Sequence, residues 1–248
     1  MNYRVVIPAR FDSSRLPGKA LMLLAGKPML QWVHERARAS SAFEVIIATD
    51  DERIAVAARG FDADVAMTAR THVSGTDRIA EVAASRGWAD ADIVVNVQGD
   101  EPLIPPRVID QVAELLAANA RADIATLAAK IESQNDLADP NNVKVACDGG
   151  GRALYFSRAP IPFNRDAPTT LSAACLRHVG IYAYRVSALR KLSGLPASRL
   201  ELIEKLEQLR ALENGMEIRV ALAVERPLAD VNTAADLERA ERALLLRP

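Results

Sequence analysis

Apolar residues in this chain come in two rhythms that alternate through its first half. Tyr3-Arg4-Val5-Val6-Ile7-Pro8, Glu44-Val45-Ile46-Ile47-Ala48-Thr49 and Ile93-Val94-Val95-Asn96-Val97 are short, nearly unbroken apolar runs rich in β-branched residues. Such runs read as strands buried on both faces. Stretches near 30–39, 52–59 and 77–86 lie between them, and another near 107–120 follows the third run; these read as helices. A β-α-β-α order predicts a largely parallel sheet with helices on both faces. In such sheets ligands bind outside the carboxyl ends of the strands.

The rhythm changes after residue 120. Residues 124–129, 143–147, 154–156 and 178–184 are strand-like, with few helical stretches between them and loops rich in Pro, Asn, Asp and Gly. This half predicts antiparallel strands and a protruding arm carrying a dimer contact. Residues 218–224 return as a strand, and 233–246 close the chain as a helix for which Thr233 is a natural N-cap. No repeat or low-complexity linker divides the chain, so 1–248 reads as a single domain.

One polar segment interrupts the pattern just after the first strand. Ala9-Arg10-Phe11-Asp12-Ser13-Ser14-Arg15-Leu16-Pro17-Gly18-Lys19 holds three cations, two serines and a Pro-Gly turn. A core gains nothing from such a loop, whereas a polyphosphate needs backbone N–H groups and cations around it. Arg can grip phosphate oxygens in pairs and Lys acts as a point charge. The loop has neither G-x-x-x-x-G-K-[ST] nor G-x-G-x-x-G, which disfavours a simple P-loop kinase or a dinucleotide enzyme. It resembles the signature loop of sugar nucleotidyltransferases; the alternative is a basic surface loop.

Three further groups carry candidate chemistry. In Asn96-Val97-Gln98-Gly99-Asp100-Glu101-Pro102, Gly99 permits close approach and Asp100 stands at a strand end, where a Mg²⁺-nucleotide would sit; the alternative is an ordinary turn. Thr71-His72-Val73-Ser74-Gly75-Thr76-Asp77-Arg78 reads either as a helix start capped by Thr76 or as backbone set against a base edge. The last group is discontinuous: Tyr155 to Arg158, Arg165, Arg177 to Tyr182, and Leu206 to Arg210. Arg158 on a strand requires an anionic partner. His178 alone reads as a structural histidine, and Glu207 and Gln208 alone as a solvated helix face. Beside a phosphate loop, the set suggests a pocket for an acidic, polyhydroxylated substrate.

Bulk properties narrow the field. With 248 residues and 50% hydrophobic content the chain builds a sizeable core. A net charge of −1 gives no electrostatic case for nucleic acid, and 4% aromatic content gives no stacking platform. No apolar run approaches the roughly 18 residues of a membrane span. Cys147 and Cys175 lack zinc-site spacing and read as reduced thiols of a cytoplasmic protein.

These blocks together resemble the 3-deoxy-manno-octulosonate (Kdo) cytidylyltransferase family over nearly the whole chain. The resemblance is carried by Pro8-Ala9-Arg10 with Arg15-Leu16-Pro17-Gly18-Lys19, Gly26-Lys27-Pro28-Met29, Ala48-Thr49-Asp50, Ser74-Gly75-Thr76 and Asn96 to Pro102. Leu154 to Arg158, Arg177-His178, Gly180-Ile181-Tyr182, Leu206 to Arg210 and a C-terminal Asp-Leu-Glu-Arg complete it. It implies a Rossmann-like nucleotidyltransferase fold with a mixed, largely parallel sheet and an antiparallel arm. Residues 1–120 would mainly bind CTP, 121–225 bind the sugar and dimerise, and 226–248 supply a metal-contact loop and the closing helix.

The implied reaction is attack by the anomeric hydroxyl of Kdo on the α-phosphorus of CTP, giving CMP-Kdo and pyrophosphate for lipopolysaccharide synthesis. The resemblance assigns Ala9, Arg10, Arg15, Lys19, Ser74, Gly75 and Gln98 to the nucleotide, and catalysis to Arg10, Arg15, Lys19 and Asp100. It assigns Gln98, Arg158, Arg165, His178, Tyr182, Glu207 and Gln208 to the sugar, Asp100 and Asn232 to Mg²⁺, and a homodimer to the assembly. Asn232 departs from the family's usual Asp; an amide carbonyl is still a hard-oxygen ligand. The alternatives are a cytidylyltransferase for another acidic sugar, such as sialic acid or an amino-Kdo variant, and a non-catalytic nucleotide sensor.

Overall fold

The computed structural model describes residues 1–12, 16–72, 74–168, 170–225, 227 and 230–246. Its strands are β1 (Arg4–Ala9), β2 (Leu23–Leu24), β3 (Lys27–Pro28), β4 (Glu44–Thr49), β5 (Asp64–Met67), β6 (Ile93–Asn96), β7 (Ile124–Lys130), β8 (Lys144–Cys147), β9 (Ala153–Ser157), β10 (Leu176–Arg185) and β11 (Ile218–Leu222). The α-helices are α1 (Met29–Arg38), α2 (Glu52–Arg59), α3 (Gly75–Ser85), α4 (Pro106–Ala118), α5 (Gln134–Ala138), α6 (Val186–Ser193), α7 (Arg199–Glu204), α8 (Gln208–Glu213) and α9 (Ala234–Leu245).

The period-2 geometry of a strand explains the unbroken apolar runs. On β1, Val5 and Ile7 face one core while Val6 faces the other; on β4, Val45 and Ile47 oppose Ile46 and Ala48. α1, α2 and α4 cover the first face, and α3, α6 and α8 the second. Both faces are dry, so neither can alternate with polar residues.

The strand order is β11-β7-β10-β6-β1-β4-β5. β5, β4, β1 and β6 run parallel, whereas β10 is antiparallel to both β6 and β7. β8 and β9 form the antiparallel arm off β10. The chain leaves β1 through α1 towards β4 on one side, and after β5 it crosses back through α3 to β6 on the other side of β1. The crevice between the carboxyl ends of β1 and β6 is therefore the topological switch point, where such sheets bind ligands.

The structure corrects the sequence reading in several places. β5, the β2–β3 hairpin and α6 to α8 were not expected. α7 buries none of its residues and α8 has only six, so neither offers an apolar period to read. Ser74, not Thr76, caps α3: its Oγ accepts the Asp77 N–H at 3.1 Å while the Asp77 carboxylate accepts the Ser74 N–H at 3.2 Å. A capping box needs an acid three residues after the cap, and Thr76 is followed there by Ile79. Thr233 caps α9 by the same device, with Asp236. Among the described residues no helix is long and apolar enough to cross a membrane.

Candidate active site

Two glycines bring the ends of β1 and β6 together. A Cβ on Gly99 would lie 3.0 Å from the Pro8 carbonyl oxygen, and one on Gly75 would lie 3.2 Å from the Pro8 ring. Their absence lets the turn after β6 and the start of α3 close on the end of β1. The result is a cavity of about 180 Å³ lined by Pro8, Ala9, Arg10, Lys19, Gly75, Gln98, Gly99 and Asp100, among others. Ser74 is beside this cavity, with its hydroxyl committed to the cap. Arg15 lies outside the described residues.

Lys19 starts a short 3-10 helix behind Gly18, whose φ of 71° suits glycine. Its Nζ donates to Asp100 Oδ2 at 2.6 Å and to the Val231 carbonyl at 2.8 Å, and lies 3.5 Å from Asn232 Oδ1. The Val231 N–H donates back to the Asp100 carbonyl at 2.9 Å, tying the C-terminal segment to the strand end. Asn232 Nδ2 donates to Asp230 Oδ2 at 2.8 Å. A carboxylate can only accept, so Asp230 takes the amide's nitrogen and the amide oxygen is left facing the cation. Three oxygens, from Asp100, Val231 and Asn232, thus converge on one positive charge. Among the described residues no group of three His, Cys, Asp or Glu could hold a metal unaided.

A third cavity of about 300 Å³ continues from Arg10 along Phe11, Asp12, Asp50, Asp51, Arg53, Arg70 and His72. Two of its carboxylates are already paired. Asp50 sits 3.1 Å from the fully buried Arg78, and Asp51 accepts Arg53 at 2.6 and 2.9 Å. The Arg53 contact draws the Asp51 carboxyl down to about 2.

The second cavity, about 330 Å³, opens on the other side of Gln98. Its wall includes Glu101, Asn141, Asn142, Arg177, His178, Gly180, Tyr182, Gln208 and Asp230. β10 has an irregularity between Val179 and Tyr182, and Thr126 on β7 donates into it, 2.7 Å from the Ile181 carbonyl. That hydroxyl has one proton, so His178 Nε2, 2.9 Å away, donates to Thr126 Oγ1 and leaves Nδ1 as an acceptor. Burial, helped by Arg177, pulls His178 down to about 3, so the ring is neutral. It packs edge-on against Phe156 and tilted against Tyr182, each with centroids 5.2 Å apart. Burial, with Asp100 and Asp230 nearby, pushes the Glu101 carboxyl up to about 8.

Of the sugar residues expected from sequence, Gln98, His178, Tyr182 and Gln208 meet at this cavity, and three do not line it. Arg158 turns back: its Nε donates to the Glu204 carbonyl at 2.7 Å and its guanidinium to the Pro140 carbonyl at 2.9 Å. Arg165 is exposed on the loop after β9. Glu207 is tucked behind, hydrogen-bonded to Thr76 and raised above the usual carboxylate range by burial. Asn141 and Asn142, which do line the cavity, belong to a loop held by Arg158 and by Lys144, whose Nζ donates to the Asp139 carbonyl at 2.9 Å and the Arg158 carbonyl at 2.6 Å. Asn141, Asn142 and Glu101 were missed as site residues. Only Glu101, next to Asp100 at a strand end, carried a usable signal.

A family profile described as Cytidylyltransferase matches residues 4–218. The chain is 55% identical to 3-deoxy-manno-octulosonate cytidylyltransferase of Pseudomonas fluorescens, covering 98% of each chain. It is 51% identical to the protein of that name from Thioalkalivibrio sulfidiphilus, over 98% of this chain and 99% of the relative. A solved CMP:2-keto-3-deoxy-manno-octonic acid synthetase complexed with CTP superposes with a TM-score of 0.89 at 41% identity, covering 100% of this chain and 99% of that one. A cytidylyltransferase from Leptospira borgpetersenii superposes at 0.64 with 18% identity over 98% of this chain and 86% of that one, a likeness of fold alone.

Proposed function

We propose a mechanism from one premise: the chain belongs to the 3-deoxy-manno-octulosonate cytidylyltransferase family. It transfers CMP from CTP to Kdo, giving CMP-Kdo and pyrophosphate. The observation that carries the mechanism is that Gln98 belongs to two cavities, one lined by the phosphate loop and the other by sheet and helix side chains suited to a polyhydroxylated acid. CTP occupies the first with its cytosine towards Ser74 and Gly75, and its triphosphate runs past Arg10, Arg15 and Lys19. The sugar occupies the second. Its anomeric hydroxyl meets the α-phosphorus beside Gln98 and Asp100; the new O–P bond forms as the bond to pyrophosphate breaks, and the hydroxyl proton is released.

Such transfer needs positioning and charge neutralisation more than covalent help. Arg10, Arg15 and Lys19 take up the charge that grows on the leaving pyrophosphate. The neutral His178 offers Nδ1 to a sugar hydroxyl. Arg177 at the wall, with Arg165 on the loop after β9, supplies cations for the sugar's carboxylate, while Arg158 holds the Asn141–Asn142 wall from behind.

The oxygens around Lys19 fit Mg²⁺, which prefers one or two carboxylates completed by phosphate oxygens and water. Asp100 and Asn232 would hold it, with Asp230 fixing the Asn232 amide. Bound there, Mg²⁺ would neutralise α-phosphate charge. The exposed apolar side chains Leu154, Phe163, Leu202 and Ile203 support a homodimer formed through the second half. Unpaired Cys147 and Cys175 fit the reducing cytoplasm.

Pyrophosphate release tests this reading. CTP with Kdo should give turnover. ATP or GTP with Kdo, and CTP with sialic acid or no sugar, should give little. Comparable rates with ATP would overturn the nucleotide assignment, and comparable rates with sialic acid the sugar assignment.

A further inference from the structure

Glu101 follows Asp100 in sequence but faces the other cavity. Its turn is closed at both ends: the Glu101 N–H donates to the Gln98 carbonyl at 3.2 Å, and the Ile104 N–H donates to the Glu101 carbonyl at 3.2 Å. The side chain is thereby directed into the second cavity, opposite β10, where a Cβ added to Gly180 would stand 4.0 Å from Glu101 Oε1. Oε2 is buried and has no hydrogen-bond partner. A buried polar oxygen left in this state carries a desolvation penalty, and in a native fold it finds its partner outside the chain, in a bound water or in the ligand that displaces it. Asp100 and Asp230 lie near enough to raise the Glu101 carboxyl but make no hydrogen bond to Oε2. A polyhydroxylated ligand can supply the missing partner, since each hydroxyl both donates and accepts and so pairs with the carboxyl whether or not it holds its proton.

We propose that Glu101 is a sugar-contacting specificity residue whose buried Oε2 pairs with one hydroxyl of the acidic sugar and fixes how the sugar is turned towards the α-phosphorus. This rests on the second cavity being the sugar site. It gives Glu101 a task separate from that of its neighbour Asp100, which faces the cation.

The test compares wild type, Glu101→Ala and Glu101→Gln with Kdo and a series of analogues each lacking one hydroxyl. Glu101→Ala should raise the KM for Kdo about tenfold, leaving the calorimetric affinity for CTP and the Mg²⁺ concentration for half-maximal rate unchanged. Glu101→Gln, which keeps shape and an acceptor oxygen, should recover part of that loss. One analogue, lacking the contacted hydroxyl, should be penalised in wild type but not further penalised by Glu101→Ala. The proposal fails if Glu101→Ala leaves the KM for Kdo unchanged. It also fails if Glu101→Ala chiefly shifts the Mg²⁺ requirement, or if every analogue loses equally in both proteins. If wild type does not turn over Kdo with CTP at all, it is the functional reading that fails.

Discussion

The two cavities that share Gln98 are built on opposite plans. The side proposed for the nucleotide uses short, contiguous segments at the ends of parallel strands, and its key contacts are Lys19 on the Asp100 carboxylate and the Val231 carbonyl, and Gly75 and Gly99 against Pro8. The side proposed for the sugar gathers residues from β10, the 139–142 loop, the start of α8 and the segment around Asp230, and burial pushes two of its titratable groups towards their uncharged forms: His178 is lowered and Glu101 is raised. On the proposed reading, one side meets a concentrated charge and the other reads a pattern of hydroxyls.

This contrast predicts different kinds of damage. The largest effect is expected from Asp100→Asn, which removes the carboxylate of the proposed Mg²⁺ site; turnover at ordinary Mg²⁺ should fall by about three orders of magnitude or more. Steady-state kinetics over a Mg²⁺ series checks this, and a rate within tenfold of wild type would break the assignment. Lys19→Ala should lower kcat by ~10²–10³-fold with a smaller effect on the KM for CTP, as expected for a group that meets charge growing in the transition state. On the sugar side the split reverses. Arg158→Ala should raise the KM for Kdo about tenfold, while calorimetry shows CTP binding unchanged, because Arg158 holds the Asn141–Asn142 wall.

The pH dependence of stability sharpens the same distinction. His178 is held near 3 in the folded protein against 6.5 when unfolded. The unfolded chain therefore binds the extra proton first. The stability of the neutral ring is complete above the unfolded value and is lost as pH falls from about 6.5 towards 3. The slope contributed is at most about 1.4 kcal/mol per pH unit. Urea unfolding between pH 7 and pH 4 should show a flatter profile for His178→Asn. The smallest effect is expected from Asn232→Asp, which should lower the Mg²⁺ concentration for half-maximal rate about threefold through added charge; Asn232→Ala should raise it.

The same difference decides what could be read from sequence. β1, β4 and β6 were legible because burial on both faces leaves an unmistakable apolar run, and the phosphate loop because eleven consecutive residues carry its chemistry. α7 and α8 were not, since short helices packed at an edge have too few buried positions to show a period. Arg158 illustrates the limit on the site. The sequence placed it on a strand and asked for an anionic partner; in the folded chain it stands just past the end of β9, and the backbone carbonyls of Pro140 and Glu204 meet its guanidinium. Thr126, whose hydroxyl fixes the His178 tautomer from a neighbouring strand, left no mark in the sequence.

Lys144 offers a way to watch the sugar wall move. Its ammonium has no exposed surface and is clasped by the carbonyls of Asp139 and Arg158. An amine-reactive reagent can reach it only when the 139–142 loop lifts, whereas Lys191 and Lys205 stand exposed and react at once. The acylation rate of Lys144, followed peptide by peptide in a mass spectrometer, is therefore a clock for the opening of that wall. Acylation is also a trap. The modified side chain has lost its charge and gained bulk, so it cannot return between the two carbonyls, and each labelled molecule records one opening permanently.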